Sequence, residues 1–77
     1  MKVAAIQHDI VWEDPEANFA HLSGLLAAAA GQGATFAVLT EMYSTGFSSD
    51  TERIAEPVGG PSTRFLVDQA ATHGMWV

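Results

Sequence analysis

The sequence contains no cysteine, few basic residues and no long apolar run. Without a thiol, its 77 residues can form no disulfide, no thiolate metal site and no cysteine nucleophile. Only 3 lysine and arginine residues stand against 9 aspartate and glutamate residues, which gives a formal net charge of −6. Nucleic acids and anionic membrane surfaces attract clustered basic residues, so neither is expected as a partner.

The apolar runs are also too short for a signal peptide or a membrane span. The first run covers residues 3–6 and is followed at once by the polar residues Gln7, His8 and Asp9. A membrane-spanning helix needs about 20 consecutive, mostly apolar residues. We therefore expect a soluble protein of the cytoplasm.

The first half of the sequence predicts a strand, a helix and a second strand. Residues 3–6 and 35–39 form short, largely continuous apolar runs, which are typical of strands buried on both faces. Between them, Asp14 is a suitable N-cap and Pro15 suits the first helical position, so a helix is predicted from about residue 15 to about residue 30. Strand, helix, strand predicts a parallel pair of strands.

The second half predicts a long loop, a helix and the start of a third strand. Residues 40–57 are polar and irregular, and a loop of this length in a compact fold is usually functional or disordered. A second helix is predicted over residues 61–73, closed by Gly74. Residues 75–77 open a third strand with no turn or polar tail after it, so we expect the domain to continue past Val77. The fold class predicted is α/β.

In open α/β sheets, ligands bind at the carboxyl ends of the strands, and two segments qualify. One is residues 7–9, and the other contains Glu41 and Tyr43. A carboxylate partly removed from water at a strand end is suited to act as a general base, and Glu41 fits this description. The alternative is that Glu41 only marks the point where the strand meets water.

Two other polar groups need an interpretation. His8 and Asp9, with Glu41, could be considered as metal ligands, but side chains alternate along a strand, so His8 and Asp9 point to opposite faces. We therefore predict no metal site. Asn18 is a polar residue inside the apolar arc of the first helix, so it needs a hydrogen-bond partner, and a structural partner suffices.

Three parts of the sequence resemble the start of the nitrilase superfamily, the carbon-nitrogen hydrolases. They are residues 3–7, Asn18, and residues 37–48, which read Ala-Val-Leu-Thr-Glu-Met-Tyr-Ser-Thr-Gly-Phe-Ser. The Ser-Thr-Gly-Phe-Ser run is most similar to the amidase branches, such as the omega-amidase type and the carbamoyl-amine hydrolases. The resemblance covers essentially the whole chain, but family members are much longer. Residues 1–77 are therefore expected to be the N-terminal portion of an incomplete hydrolase domain.

The resemblance implies an α-β-β-α sandwich, of which this chain would be the N-terminal part, truncated within the third strand, and a Glu-Lys-Cys triad. In such a triad the cysteine attacks the amide or nitrile carbon, the glutamate takes the thiol proton, and the lysine stabilises the tetrahedral intermediate. Only the glutamate corresponds to a residue here, Glu41. Tyr43 follows where family members often place residues that line the substrate pocket, although it could equally pack the loop. The family usually has proline just before its glutamate, whereas this chain has Thr40.

The function implied is hydrolysis of a non-peptide carbon-nitrogen bond in a small amide, carbamoyl compound or nitrile. No cofactor is implied, and the complete protein is expected to be a homo-oligomer. The 77-residue chain alone is expected to be inactive, because it has no nucleophile. The alternative from another class is a small non-catalytic α/β module that binds a ligand at its strand ends, or a fragment without function.

Overall fold

The computed structural model describes residues 1–77 and confirms the α/β class. Its elements in chain order are β1 (Val3–Ala5), α1 (Pro15–Gly31), β2 (Phe36–Val38), α2 (Thr51–Ile54) and α3 (Pro61–His73). The long helices α1 and α3 lie where the sequence predicts them. None of the helices combines the length and the apolar character that crossing a bilayer requires.

Local capping explains where the two long helices begin and end. The Asp14 carboxylate accepts a hydrogen bond from the N–H of Ala17 at 3.1 Å, which caps α1, and Pro15 stands in the first turn, where no N–H is needed. Helix α3 starts with Pro61 in the same way and ends at Gly74, whose φ of 58° gives the left-handed C-cap conformation. These boundaries are therefore determined by residues adjacent in the sequence.

Strand β2 lies at the centre of the sheet. It pairs in parallel with β1, so that Val3 stands opposite Phe36. On its other side a third strand begins, because Phe36 forms a parallel bridge with Trp76 and the N–H of Ala37 donates to the Trp76 carbonyl at 2.8 Å. The predicted start of a third strand is thus confirmed.

Both long helices cover the same face of this sheet. Ala37 is buried at the centre of β2, in a cluster with Leu26 of α1 and with Met75. Phe65 of α3 packs against the same cluster, and its ring stacks on Phe19 of α1 with a centroid distance of 4.7 Å. The core of the chain is therefore a single layer between one sheet face and two helices.

The opposite sheet face is open, so the prediction that the strands are buried on both faces is wrong for this chain. Val3, Phe36, Val38 and Trp76 are between 37% and 72% exposed. They share this face because side chains alternate along a strand and because Val3, Phe36 and Trp76 stand opposite one another. A continuous apolar run predicts two covering layers, whereas the helices of these 77 residues supply only one.

Helix α2 lies within residues 40–57, which the sequence predicts to be irregular, so this element corrects the prediction. Asp50 caps this helix by accepting a hydrogen bond from the N–H of Arg53, and the Arg53 guanidinium lies 3.1 Å from the Glu13 carboxylate. A single turn is too short to show a helical period in the sequence. It forms here because of its cap and of a contact with a residue distant in sequence.

Gly46 brings the loop after β2 into contact with the loop between β1 and α1. Its φ of 78° is in the left-handed region, and a Cβ atom at this position would lie 3.0 Å from Trp12 Cε3. Glycine meets both requirements, because it tolerates positive φ and has no side chain to clash with the indole. The packing of the two loops therefore depends on Gly46.

We expect the 77-residue chain by itself to self-associate or to fold poorly, because the open sheet face is apolar and β1 is an edge strand. Sedimentation velocity and binding of a hydrophobic dye would measure this. Val38→Lys on the open face should increase the monomer fraction, whereas Val67→Lys at an exposed position of α3 should not. A sharp two-state melt from a monomeric chain would contradict the prediction.

Gly46→Ala should destabilise the protein more than Gly59→Ala does. Both glycines have nearly the same φ, 78° and 77°, but a Cβ atom on Gly59 would have no neighbour within 4 Å. The Gly59 variant therefore measures the backbone cost alone, roughly 1–2 kcal/mol, and the Gly46 variant adds the clash with Trp12. Denaturant unfolding of the complete protein would compare them. Equal losses at the two positions would show that the indole contact imposes no constraint.

Candidate functional site

The structure brings the two predicted strand-end segments together at the carboxyl edge of the sheet. Strand β1 ends at Ala5 and β2 ends at Val38, and the chain after each strand leaves the sheet at the same edge. The segments are in direct contact, because the His8 Nε2 atom lies 3.1 Å from the Tyr43 carbonyl oxygen. This juxtaposition follows from the parallel pairing that the sequence predicts.

Glu41 is exposed, and its carboxylate makes no hydrogen bond or ion pair with the rest of the chain. The sequence predicts a carboxylate partly removed from water at this position, and the 77 residues do not provide that environment. The reason is that Glu41 lies past the end of β2, beside a sheet whose outer face is open. The carboxylate is therefore free to contact a further group.

The backbone that follows Glu41 forms a tight turn. Met42 has a φ of 56°, which is unusual for a residue with a side chain. Its carbonyl accepts hydrogen bonds from the N–H groups of Thr45 at 3.3 Å and Gly46 at 2.8 Å. These bonds close the turn and fix the direction in which the chain leaves Glu41.

The next three carbonyls of the turn are bound by groups from other parts of the chain. The Tyr43 carbonyl accepts from His8, the Ser44 carbonyl accepts from the Asn18 amide at 2.7 Å, and the Thr45 carbonyl accepts from the Glu13 N–H at 2.7 Å. Every carbonyl from residue 42 to residue 45 thus has a hydrogen-bond partner. The Glu41 side chain therefore projects from the start of a turn whose next four carbonyls are all hydrogen-bonded.

Asn18 is 0% exposed and uses its whole side-chain amide. Its Oδ1 atom accepts from the Val11 N–H at 2.7 Å, and its Nδ2 atom donates to the Val11 carbonyl at 2.8 Å and to the Ser44 carbonyl. The sequence predicts that this residue needs a hydrogen-bond partner. The structure shows that the partners belong to both strand-end loops.

His8 contacts the loop that carries Glu41. A carbonyl only accepts hydrogen bonds, so the contact with Tyr43 requires a hydrogen on Nε2 of the His8 ring. The Nδ1 atom is buried without a partner, and the ring lies edge-on to His21 at 6.1 Å. Asp9 is exposed, and no three histidine, aspartate or glutamate side chains converge anywhere in the chain.

Tyr43 packs the loop onto both long helices. Its hydroxyl donates to the Ser62 carbonyl at 2.6 Å, and its ring lies 6.4 Å from that of Phe19 and 6.2 Å from that of Phe65. Burial raises the pKa of the Tyr43 phenol above its ordinary value, and the negative charge of Glu56 adds to the rise, so the hydroxyl remains a donor at neutral pH. The ring also lines a groove of about 320 Å³ beside Thr40 and Val77.

Thr40 stands where the family that the sequence resembles usually has proline. Its hydroxyl is buried without a hydrogen-bond partner, and its N–H donates no hydrogen bond. A proline would therefore remove no hydrogen bond at this position. The turn after Glu41 is stabilised by its own hydrogen bonds, from the Thr45 and Gly46 N–H groups to the Met42 carbonyl.

Glu56, to which the sequence pattern assigns no role, caps helix α3. Its two carboxylate oxygens accept from the N–H and the hydroxyl of Ser62 at 2.7 and 2.6 Å. Gly60 is needed in this turn because a Cβ atom there would lie 2.9 Å from the Pro57 carbonyl oxygen. A glutamate six residues before a helical serine is no recognised local capping pattern, so the sequence carried little signal for it.

Comparison with known proteins identifies the family of this sequence. The carbon-nitrogen hydrolase model matches residues 2–77. A nitrilase from Pyrococcus abyssi (strain GE5 / Orsay) is 32% identical over 82 aligned residues, which cover 100% of this chain and 31% of the archaeal protein. The chain thus spans less than a third of the length of that relative. Since the family match extends over nearly every residue, the chain belongs to the carbon-nitrogen hydrolase family.

Proposed function

We propose that this chain supplies the general base, Glu41, of a hydrolase that cleaves a non-peptide carbon-nitrogen bond in a small molecule. The observation that carries the proposal is the position of Glu41: its carboxylate is free, at the carboxyl edge of a parallel sheet, on a hydrogen-bonded turn. Membership of the carbon-nitrogen hydrolases supports the reaction class. The substrate class proposed is an amide, a carbamoyl compound or a nitrile.

The chemistry needs two further groups, which we propose come from outside these residues. The sequence has no cysteine, and its only lysine, Lys2, precedes β1 at the opposite edge of the sheet and donates to the Gln32 carbonyl at 2.7 Å. Glu41 would take the proton of a cysteine thiol, the thiolate would attack the substrate carbon, and a lysine would stabilise the charge that develops. With an amide or carbamoyl substrate, the tetrahedral intermediate would collapse with cleavage of the carbon-nitrogen bond, and the amine would leave with the proton that Glu41 had taken. Water would then hydrolyse the thioester to the acid and restore the thiol. With a nitrile the first adduct would be a thioimidate, and water would release its nitrogen as ammonia.

We further propose an amidase-type substrate, on the basis of residues 44–48, the Ser-Thr-Gly-Phe-Ser run. Tyr43 would contribute to the pocket through its ring, since its hydroxyl is already used by Ser62. The Tyr43 ring would then connect the wall of the pocket to α3, because its hydroxyl donates to the Ser62 carbonyl of that helix. This combines the two roles considered for Tyr43, because a residue that packs the loop can still present one ring edge to a ligand.

The 77-residue chain by itself should hydrolyse neither amides nor nitriles, because it contains no nucleophile. Ammonia release from a panel of simple amides and nitriles would be measured for the chain and for its Glu41→Ala variant. Hydrolysis by the chain above that of the variant would refute the triad assignment. A coding sequence that continues without a lysine and a cysteine would instead favour the non-catalytic ligand-binding module.

In the complete enzyme, Glu41→Gln should lower kcat by about 10² to 10⁴ with little change in KM. Glutamine is nearly isosteric, so the turn should survive, whereas the base that takes the thiol proton is lost. Alkylation of the nucleophilic cysteine should also slow at neutral pH.

The matched control for this variant is Glu52→Gln, which removes another exposed carboxylate, in α2. Its kcat should equal that of the parent enzyme. If Glu41→Gln keeps activity within about tenfold of the parent, the assignment of Glu41 as general base is wrong.

A further inference from the structure

The Asn18 amide is the most deeply buried polar side chain of the protein. It occupies the face of α1 that also carries the buried residues Leu22 and Leu26. Burying an amide among apolar neighbours is unfavourable unless its hydrogen bonds are replaced, and Asn18 replaces them with three bonds of 2.7 to 2.8 Å. An apolar residue would fill the same place without this requirement, so the amide needs an explanation beyond packing.

All of these bonds go to the main chain. One oxygen accepts from Val11, and one NH₂ group donates to the carbonyls of Val11 and Ser44. Aspartate keeps the oxygen but offers no donor for the two carbonyls, and glutamine would carry its amide one methylene further from the helix backbone. The amide thus joins three segments through a pattern that is specific to asparagine: α1, the loop after β1 and the loop after β2.

The segment held by Asn18 is the one that orients Glu41. Ser44 belongs to the turn that Met42 closes, and its carbonyl is bound next to the Tyr43 carbonyl, which His8 binds. Without the Asn18 donor, the Ser44 carbonyl would be left partly buried and unpaired, and the turn would shift to reach water. Any such shift displaces the backbone from which the Glu41 carboxylate projects.

We infer that Asn18 is a positioning residue for Glu41. It holds the turn after Glu41 against helix α1 and against the loop that follows β1. The inference rests on the proposed function, because this placement affects a rate only if Glu41 takes part in the reaction. A displacement of about 1 Å in a reacting group can cost up to about 10²-fold in rate, so the effect should appear in kcat.

The test compares Asn18→Asp with Ser23→Ala in the complete enzyme. Both changes remove side-chain hydrogen bonds of α1, two at Asn18 and one at Ser23, but Ser23 donates only to the Ala20 carbonyl of its own helix. Asn18→Asp should lower kcat by roughly 10 to 10²-fold with little change in KM, and cysteine alkylation at neutral pH should slow in parallel. Ser23→Ala should leave kcat and alkylation unchanged.

The double variant of Asn18→Asp with Glu41→Gln distinguishes an effect on the position of Glu41 from a general disruption of the structure. If Asn18 acts through Glu41, Asn18→Asp should lower kcat much less in the Glu41→Gln background than in the parent. An equal loss in both backgrounds would overturn the inference while leaving Glu41 as the base. Glu41→Gln measured alone tests the proposed function separately, so the two failures are distinguishable.

A second variant covers the case in which Asn18→Asp does not fold. Asn18→Ser leaves space for a water molecule between the Val11 and Ser44 carbonyls, so it should preserve the fold while loosening the turn. Its kcat should fall with KM nearly constant, again less so with Glu41→Gln. Unchanged kcat in a folded Asn18→Ser variant would overturn the inference. Loss of the folded protein in both variants would also overturn it, because Asn18 would then support the fold rather than the base.

Discussion

The buried amide of Asn18 is the interaction on which the site depends. Two loops leave the sheet at the same edge, and each contains backbone groups that water would otherwise satisfy. A single side chain from α1 binds both of them, with the Val11 peptide on one side and the Ser44 carbonyl on the other. A hydrogen bond forms only within a narrow range of distances and angles, so these buried bonds hold the loops in one arrangement. Apolar contacts alone are not directional and would allow several arrangements.

One face of the sheet is covered by the two long helices, and the opposite face is open. Helices α1 and α3 pack on one side of the sheet, and the stacked rings of Phe19 and Phe65 join them. The other side carries Val3, Phe36 and Trp76 in a row across the strands. In the sandwich that the family resemblance implies, a second sheet would cover this row. The open face and the exposed Glu41 carboxylate have the same physical origin, since both lack a covering layer.

The site itself was only partly predictable. Glu41 and Tyr43 were identified because they follow a recognisable strand, and the resemblance gave Glu41 a role. The exposure of Glu41 was not predicted, because burial depends on what lies above the sheet and not on the local apolar pattern. His8 contacts Tyr43, which lies 35 positions away in the sequence, and the Tyr43 hydroxyl contacts Ser62, which lies 19 positions away. No local sequence pattern predicts either contact.

Sequence alone determined the elements whose causes are local: the cap of Asp14, the prolines at the start of α1 and α3, the left-handed Gly74, and the parallel order of strand, helix and strand. These depend on neighbours within a few residues and on backbone preference. Only the tertiary structure decided the formation of the one-turn helix α2, the close approach of Gly46 to Trp12 and the hydrogen bond from Asn18 to Ser44. Each of these contacts joins two segments that are far apart in the sequence, and the packing of the fold sets the separation between them. The pattern of residue types along the sequence does not specify that separation.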